Sequence, residues 1–230
     1  MTLKDDLVTA VDAIALEKWE TNSAKTVPDL AALTLGNSGK TIDACFLYAD
    51  LSDSTGIVER VSSTLAAEYY KSFLWCSAKI IVANEGSIEA YDGDRVMGVF
   101  VGSAKEENAV LAAMKINYCV GHIINPAFSF HSNHIPIQHT VGIDSGSVLV
   151  CKAGVRGDNE LVWVGSPANH AAKLNSFTGL DHSFPTRITQ TVKAKLPPYL
   201  LQSSTGSDVW DGPYHNVGTP HFRSSFYMEL

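Results

Sequence analysis

Two aspartates stand where a chain can do metal chemistry. Asp50 closes the apolar run "CFLYADL", and Asp94 lies in "AYDGDRVMGVF", just after the hairpin-like pair Asp92-Gly93. If the run is a strand and the second segment a hairpin in the same sheet, the strand's end lies beside the hairpin turn. The two carboxylates then converge although 44 positions separate them. Paired carboxylates near a phosphate site commonly hold Mg²⁺ or Mn²⁺, hard cations that take oxygen ligands. Two such ions stabilise both the attacking and the leaving oxygen of an in-line displacement at phosphorus. Ser52, Asp53, Ser54 and Thr55 follow, before Gly56, and their N–H groups at the start of a helix can cradle an anion. Taken singly, Asp50 and Ser54 are helix caps and Asp94 closes a turn. Taken together in this topology, they favour a metal and phosphate site.

A third segment, "VWVGSPANHAAKL", places Asn169 and Lys173 four apart, on one face of a helix. An amide and a cation one turn apart can orient a ribose and neutralise charge on a phosphorane. Ser166 as N-cap and Pro167 at the first helical position begin that helix by the usual rules.

The elements around these residues read as follows. Residues 3 to about 20 form an amphipathic helix through Leu3, Leu7, Val11, Ile14 and Leu16. A Thr/Ser/Gly/Pro-rich arm connects it to the strand "IDACFLYADL". A helical stretch from Thr55 breaks near Ser62–Thr64 and stops at Gly86. The strands "SIEAYDG" and "RVMGVFVG" come next, then a helix from Ala104 to about His122. The strands "IQHTVGIDSG" and "SVLVCKAG", turning at Ser145-Gly146, precede a third, "ELVWVG". After the Asn169 helix, "TVKAKL" reads as a short helix and "RSSFYMEL" as a terminal strand. The order is βαββαβ with an extra hairpin: an α+β, ferredoxin-like core, its sheet covered by helices on one face. Residues 1–40 form the helix and arm, and 41–230 one catalytic domain.

Composition narrows the function. The chain has 230 residues, 45% hydrophobic, and a formal net charge of −7 without a basic run. That argues against a duplex nucleic-acid partner, which attracts basic surfaces. The four cysteines follow no metal-ligand spacing and read as reduced core thiols. No apolar run is long enough for a bilayer, and "MTLKDDLVTA" is no signal peptide, so a cytoplasmic protein without a membrane anchor is expected.

The segments "FLYADLSDST", "GDRVMGVF", "HTVGIDSGSVLV" and "VGSPANHAAKL", in this order, resemble the four signatures of the class III nucleotidyl cyclases over about residues 42–176. The resemblance implies two Mn²⁺ or Mg²⁺ ions per site, with Asp50 and Asp94 as ligands and Leu51 as a carbonyl ligand. It makes Asn169 the ribose-orienting amide and puts Lys173 where the family usually has an arginine. It also implies a homodimer with composite sites, the carboxylates from one chain and the Asn169 helix from the other. Lys195 and Arg223 are candidates for the family's late phosphate-binding lysine.

The purine readers are missing: Ala90 and Val162 occupy their positions, so buried base edges would go unpaired at about 1–3 kcal/mol each. Either the enzyme is inactive or unselective, or it reads another base. The stretch "KWETNSAKTVPDLAALTLGN" with "LYADLSDST" is similar to the bacterial anti-phage pyrimidine cyclases. That similarity implies cyclic UMP, ahead of cyclic CMP, as product, and a cyclic-nucleotide-sensing effector downstream. Tyr48 and Arg95 are then candidate base-pocket residues. An adenylate cyclase with an atypical pocket and a nucleotide-binding sensor remain as rival expectations.

Overall fold

The computed structural model describes residues 2–176 and 181–230. In chain order the elements are α1 (Leu3–Leu16), β1 (Glu20–Ala24), β2 (Ser38–Leu51), α2 (Ser54–Arg60), α3 (Ser63–Ala83), β3 (Ser87–Asp92), β4 (Arg95–Phe100) and α4 (Lys105–Cys119). A π-helical turn over Val120–Ile124 leads into α5 (Asn125–Phe128). Then follow β5 (His139–Val155), β6 (Asp158–Val164), α6 (Ser166–Ser176), β7 (Thr186–Thr189), α7 (Gln190–Lys193), α8 (Pro198–Leu201), β8 (Asp211–Tyr214) and β9 (His221–Ser224). Among the described residues the strands form one mixed sheet, in the order β3-β4-β2-β5-β7-β9-β8, with β1 beside β2 and β6 beside β5.

Strand β2 is the spine of the molecule. Its side chains alternate between faces, and over residues 44–49 both faces are covered, which is why that stretch reads as an unbroken apolar run. Cys45, Leu47, Ala49 and Leu51 pack with α3 and α4, through Phe73, Ile81, Val110 and Ala113 among others. Ile42, Ala44 and Phe46 face the other way, with Ala168 and Ala171 of α6. Helices therefore cover two faces, not the one expected. The reason is the small-residue stripe of α6: at Gly142 of β5 a Cβ would lie 2.2 Å from the Ala171 carbonyl oxygen, so only glycine admits the helix this close.

Several boundaries differ from expectation. Strand β5 runs straight through Ser145-Gly146, which oppose Cys45 and Ala44 in unbroken register. Gly146 serves packing there: its φ is +155°, and a Cβ would come to 3.0 Å from Pro167 at the start of α6. The real turn follows at Arg156-Gly157, where Val155 pairs with Asp158 and Gly157 has φ +92°. The arm carries β1, which pairs in parallel with Ser38–Ile42 of β2, so β2 begins before Ile42. Helix α1 stops at Leu16, and its Leu3, Leu7, Val11 and Ile14 stay exposed; Asn37 holds its end through Nδ2 bonds to the carbonyls of Ile14 and Glu17. Ser166 is itself the first helical residue of α6. The second long helix gives way at Val120 to the π turn and resumes as α5, so helical structure continues past His122 to Phe128. The terminal strand ends at Ser224. All four cysteines are free. Among the described residues, no helix is long and apolar enough to cross a membrane.

His139, at the start of β5, gives the fold an acid-sensitive point. It is 3% exposed, its Nε2 has no hydrogen-bond partner, and burial pushes its pKa from 6.5 down to about 4. The unfolded chain thus takes up this proton first as pH falls. The stability held above pH 6.5 is lost on the way to about 4, by about 3 kcal/mol. Melting curves of wild type and His139→Leu between pH 7 and 4 check this: the variant should lose clearly less. Parallel slopes would remove His139 as the cause.

Candidate active site

Strand β2 delivers Asp50 at its last turn before α2, and the β3–β4 hairpin delivers Asp94. The residues Asp92 and Arg95 pair, so Gly93-Asp94 form the two-residue loop, one position later than the sequence suggested; Gly93 supplies the left-handed φ of +61°. The carboxylates meet as expected. Burial, then the Asp94 carboxylate, push the Asp50 pKa up to about 7, against the pull of Arg95. Asp50 Oδ1 and Asp94 Oδ2 are buried without a hydrogen-bond partner. Two such oxygens, each bearing lone pairs and no donor, form a donor set for a hard divalent cation. The residues present fit the metal that the resemblance implies.

Arg95 borders this pair. Its Nε lies 3.9 Å from Asp50 Oδ2, beyond hydrogen-bond reach, and its Nη2 lies 3.3 Å from Asp92 Oδ2. Tyr48 stands on the same β2 face two residues before Asp50, half-buried; burial raises its phenol pKa while Arg95 lowers it. Met97 joins Tyr48 to Ala90 in one cross-strand row. Tyr48, Ala90, Asp50, Asp94 and Arg95 thus form one neighbourhood. Within one chain Val162 does not join it: it pairs with Cys151, whose β2 partner is Gly39, at the opposite end of that strand.

The segment after Asp50 is partly committed elsewhere. The Ser52 N–H already donates to the Gln138 carbonyl at 2.9 Å, which removes it from the expected anion cradle. Asp53, in the left-handed region at φ +55°, caps α2 by accepting from Gly56 N–H and binds Arg60 at 2.9 Å. Ser54 and Thr55 remain as first-turn N–H groups of α2, without intrahelical partners by position. The Leu51 side chain is buried in the core.

Asn169 and Lys173 lie elsewhere. They line a surface groove along α6 with Ser166, His170, Ala172 and Ser176, and neither Asp50 nor Asp94 contributes to it. The helix is fixed from its inner side. Asn175 donates to the Thr140 carbonyl at 2.8 Å and to the Tyr48 carbonyl at 3.4 Å, tying the end of α6 to β5 and β2. The two late cations are both engaged within the chain. Lys195 sits 2.6 Å from Glu106, and Arg223 binds Asp181 and Asp211 while lying over Phe184.

One constellation escaped the sequence reading. Asp144, buried in mid-β5, accepts from Ser145 N–H, Thr189 Oγ1 and His170 Nδ1. Its signal was an aspartate within an apolar strand, "TVGIDSG", which needs partners to be there at all.

No family model matches the chain. A uridylate cyclase of Xanthomonas perforans is 44% identical over 92% of this chain and 90% of its own length. A uridylate cyclase of Burkholderia cepacia is 42% identical over 94% and 93%. Among solved structures, the adenylyl cyclase CyaB from P. aeruginosa superposes with a TM-score of 0.68 at 14% identity, over 81% of this chain and 95% of that one. That likeness concerns the fold alone. Sequence identity of this extent with the two relatives carries the conclusion: the chain belongs to the uridylate cyclase family of nucleotide cyclases.

Proposed function

We propose that the protein is a divalent-metal-dependent cyclase that converts a pyrimidine nucleoside triphosphate, UTP ahead of CTP, into the 3′,5′-cyclic nucleotide and pyrophosphate. The observation that carries this reading is the convergence of Asp50 and Asp94, with two buried, unpartnered carboxylate oxygens, beside Tyr48 and Arg95. Asp50 and Asp94, with the Leu51 carbonyl, would hold Mn²⁺ or Mg²⁺. When bound, such ions would supply Lewis acidity to the ribose 3′-hydroxyl and charge neutralisation to the pyrophosphate. The first turn of α2 receives phosphate oxygens on the N–H groups of Ser54 and Thr55. Asn169 aligns the ribose, and Lys173 offsets charge at the α-phosphorus.

The base is read by Tyr48 and Arg95. Uracil presents two carbonyl oxygens, and both the phenol hydroxyl and the guanidinium can donate to them. Ala90 and Val162 offer nothing to a purine edge. Within one chain neither Asp50 nor Asp94 lines the α6 groove, which supports a working site that joins two copies across a homodimer. The relatives' name supports the choice of UTP. The product acts on a cyclic-nucleotide-sensing effector in anti-phage defence, a role that rests on the resemblance to the pyrimidine cyclases.

One assay tests the reading: purified protein with Mn²⁺ or Mg²⁺ and each of the four nucleoside triphosphates, products identified by mass. Cyclic UMP as the main product is expected. Cyclic AMP alone would exclude the pyrimidine assignment, and nucleotide binding without turnover would make the protein a sensor.

A further inference from the structure

The pair Asp144–His170 lies at the edge of the α6 groove. Both oxygens of Asp144 act as acceptors. Oδ1 takes the Ser145 N–H at 2.8 Å and the Thr189 hydroxyl, and Oδ2 faces His170 Nδ1 at 3.0 Å. The Thr189 hydroxyl also accepts from Val192 N–H, so its own proton points at Asp144. An acceptor-only carboxylate requires a donor at Nδ1, which fixes the ring and leaves Nε2 as its other polar atom. The carboxylate is 4% exposed, whereas His170 is half-buried and lines the groove with Asn169 and Lys173. His170 and Lys173 are three apart on α6, a spacing that puts them on one face.

A lysine ammonium is a point charge and cannot offer the two parallel N–H bonds that suit a phosphoryl group. We propose that His170 supplies the missing donor, its Nε2–H binding a non-bridging phosphate oxygen of the nucleotide beside the Lys173 ammonium, with Asp144 as its positioning residue. This inference rests on the cyclase reading above. With Nδ1–H committed to Asp144, an Nε2–H donor means that the ring carries both protons when it binds the phosphate.

Double-mutant kinetics test it, with cyclic nucleotide formation followed under saturating Mn²⁺. His170→Ala should lower kcat by about 10- to 100-fold with KM changed less than about threefold, the mark of an interaction made mainly in the transition state. In a Lys173→Arg background, whatever its own rate, the guanidinium fork takes over the second bond and His170→Ala should cost no more than about threefold. Asp144→Asn, which keeps an acceptor for Thr189, should lower kcat in the Lys173 protein and much less in the Lys173→Arg protein. Equal losses in the two backgrounds, or an unchanged kcat in His170→Ala, would overturn the proposal. Thermal melts separate a failure to fold from a loss of chemistry, and should His170→Ala not fold, the Asp144→Asn pair decides. Wild-type turnover and its loss in Asp50→Asn serve as the control on the parent reading. If wild type makes no product, or Asp50→Asn is as active as wild type, the cyclase reading itself fails and this one with it.

Discussion

Asp50→Asn is expected to abolish cyclic nucleotide formation, by at least about a thousandfold in kcat, while the variant melts no lower than wild type. The two halves of this result have one cause. Asp50 is half-buried against a second carboxylate, and its pKa stands raised to about 7. A carboxyl whose folded pKa lies above its unfolded value keeps its proton longer in the native state, so stability falls as pH rises from about 4 to about 7. At pH 8, without divalent ions, wild type therefore carries an unrelieved repulsion that the amide removes. Such a group is costly to the fold, a cost that a bound cation would offset. Adding Mn²⁺ or Mg²⁺ should raise the wild-type melting temperature at pH 8 and leave the variant's nearly unchanged. The measurements are a product assay and melting curves at pH 8 with and without metal. Activity surviving in Asp50→Asn would move the metal site elsewhere. A variant that melts far below wild type would make Asp50 a structural residue instead.

The legible parts of this chain were those where a local signal and the global requirement agree. An apolar run ending in an aspartate and small hydroxyl residues reads as a strand that delivers a carboxylate, and β2 does deliver Asp50. The break between α2 and α3 was visible because Ser62 caps α3 through its hydroxyl. Where the structure departs from the sequence reading, tertiary packing has overridden local chemistry. Ser145-Gly146 has the composition of a turn, yet that glycine exists to admit Pro167, a contact no local window contains. The arm looked like a linker because β1 is polar, exposed and held largely by its backbone pairing with β2. Ser52 looked like an anion ligand until the Gln138 carbonyl claimed its N–H. The bond between His170 and Asp144 spans 26 positions and two elements, so neither residue announces it alone.

The second large effect follows from where Lys173 sits. Asp50→Asn and Lys173→Ala should each be nearly inactive, and mixing the two proteins should restore activity. Within one chain the α6 groove that holds Lys173 has no lining residue from the Asp50–Asp94 pair, although α6 itself is anchored near Tyr48 through Asn175. Lys173 is exposed, so its removal leaves the core intact. If each site takes its carboxylates from one protomer and α6 from the other, a mixed dimer holds one doubly defective site and one wild-type site. With full subunit exchange at equal concentrations, half the dimers are mixed, and about a quarter of wild-type specific activity should return. Activity should climb from near zero with the time course of exchange and depend on the mixing ratio, with a maximum at parity. A site formed within one chain predicts the opposite, since every copy in the mixture would carry a defect in its own site. A mixture that exchanges subunits yet stays inactive would therefore rule out the composite arrangement, while leaving the metal assignment of Asp50 to its own test.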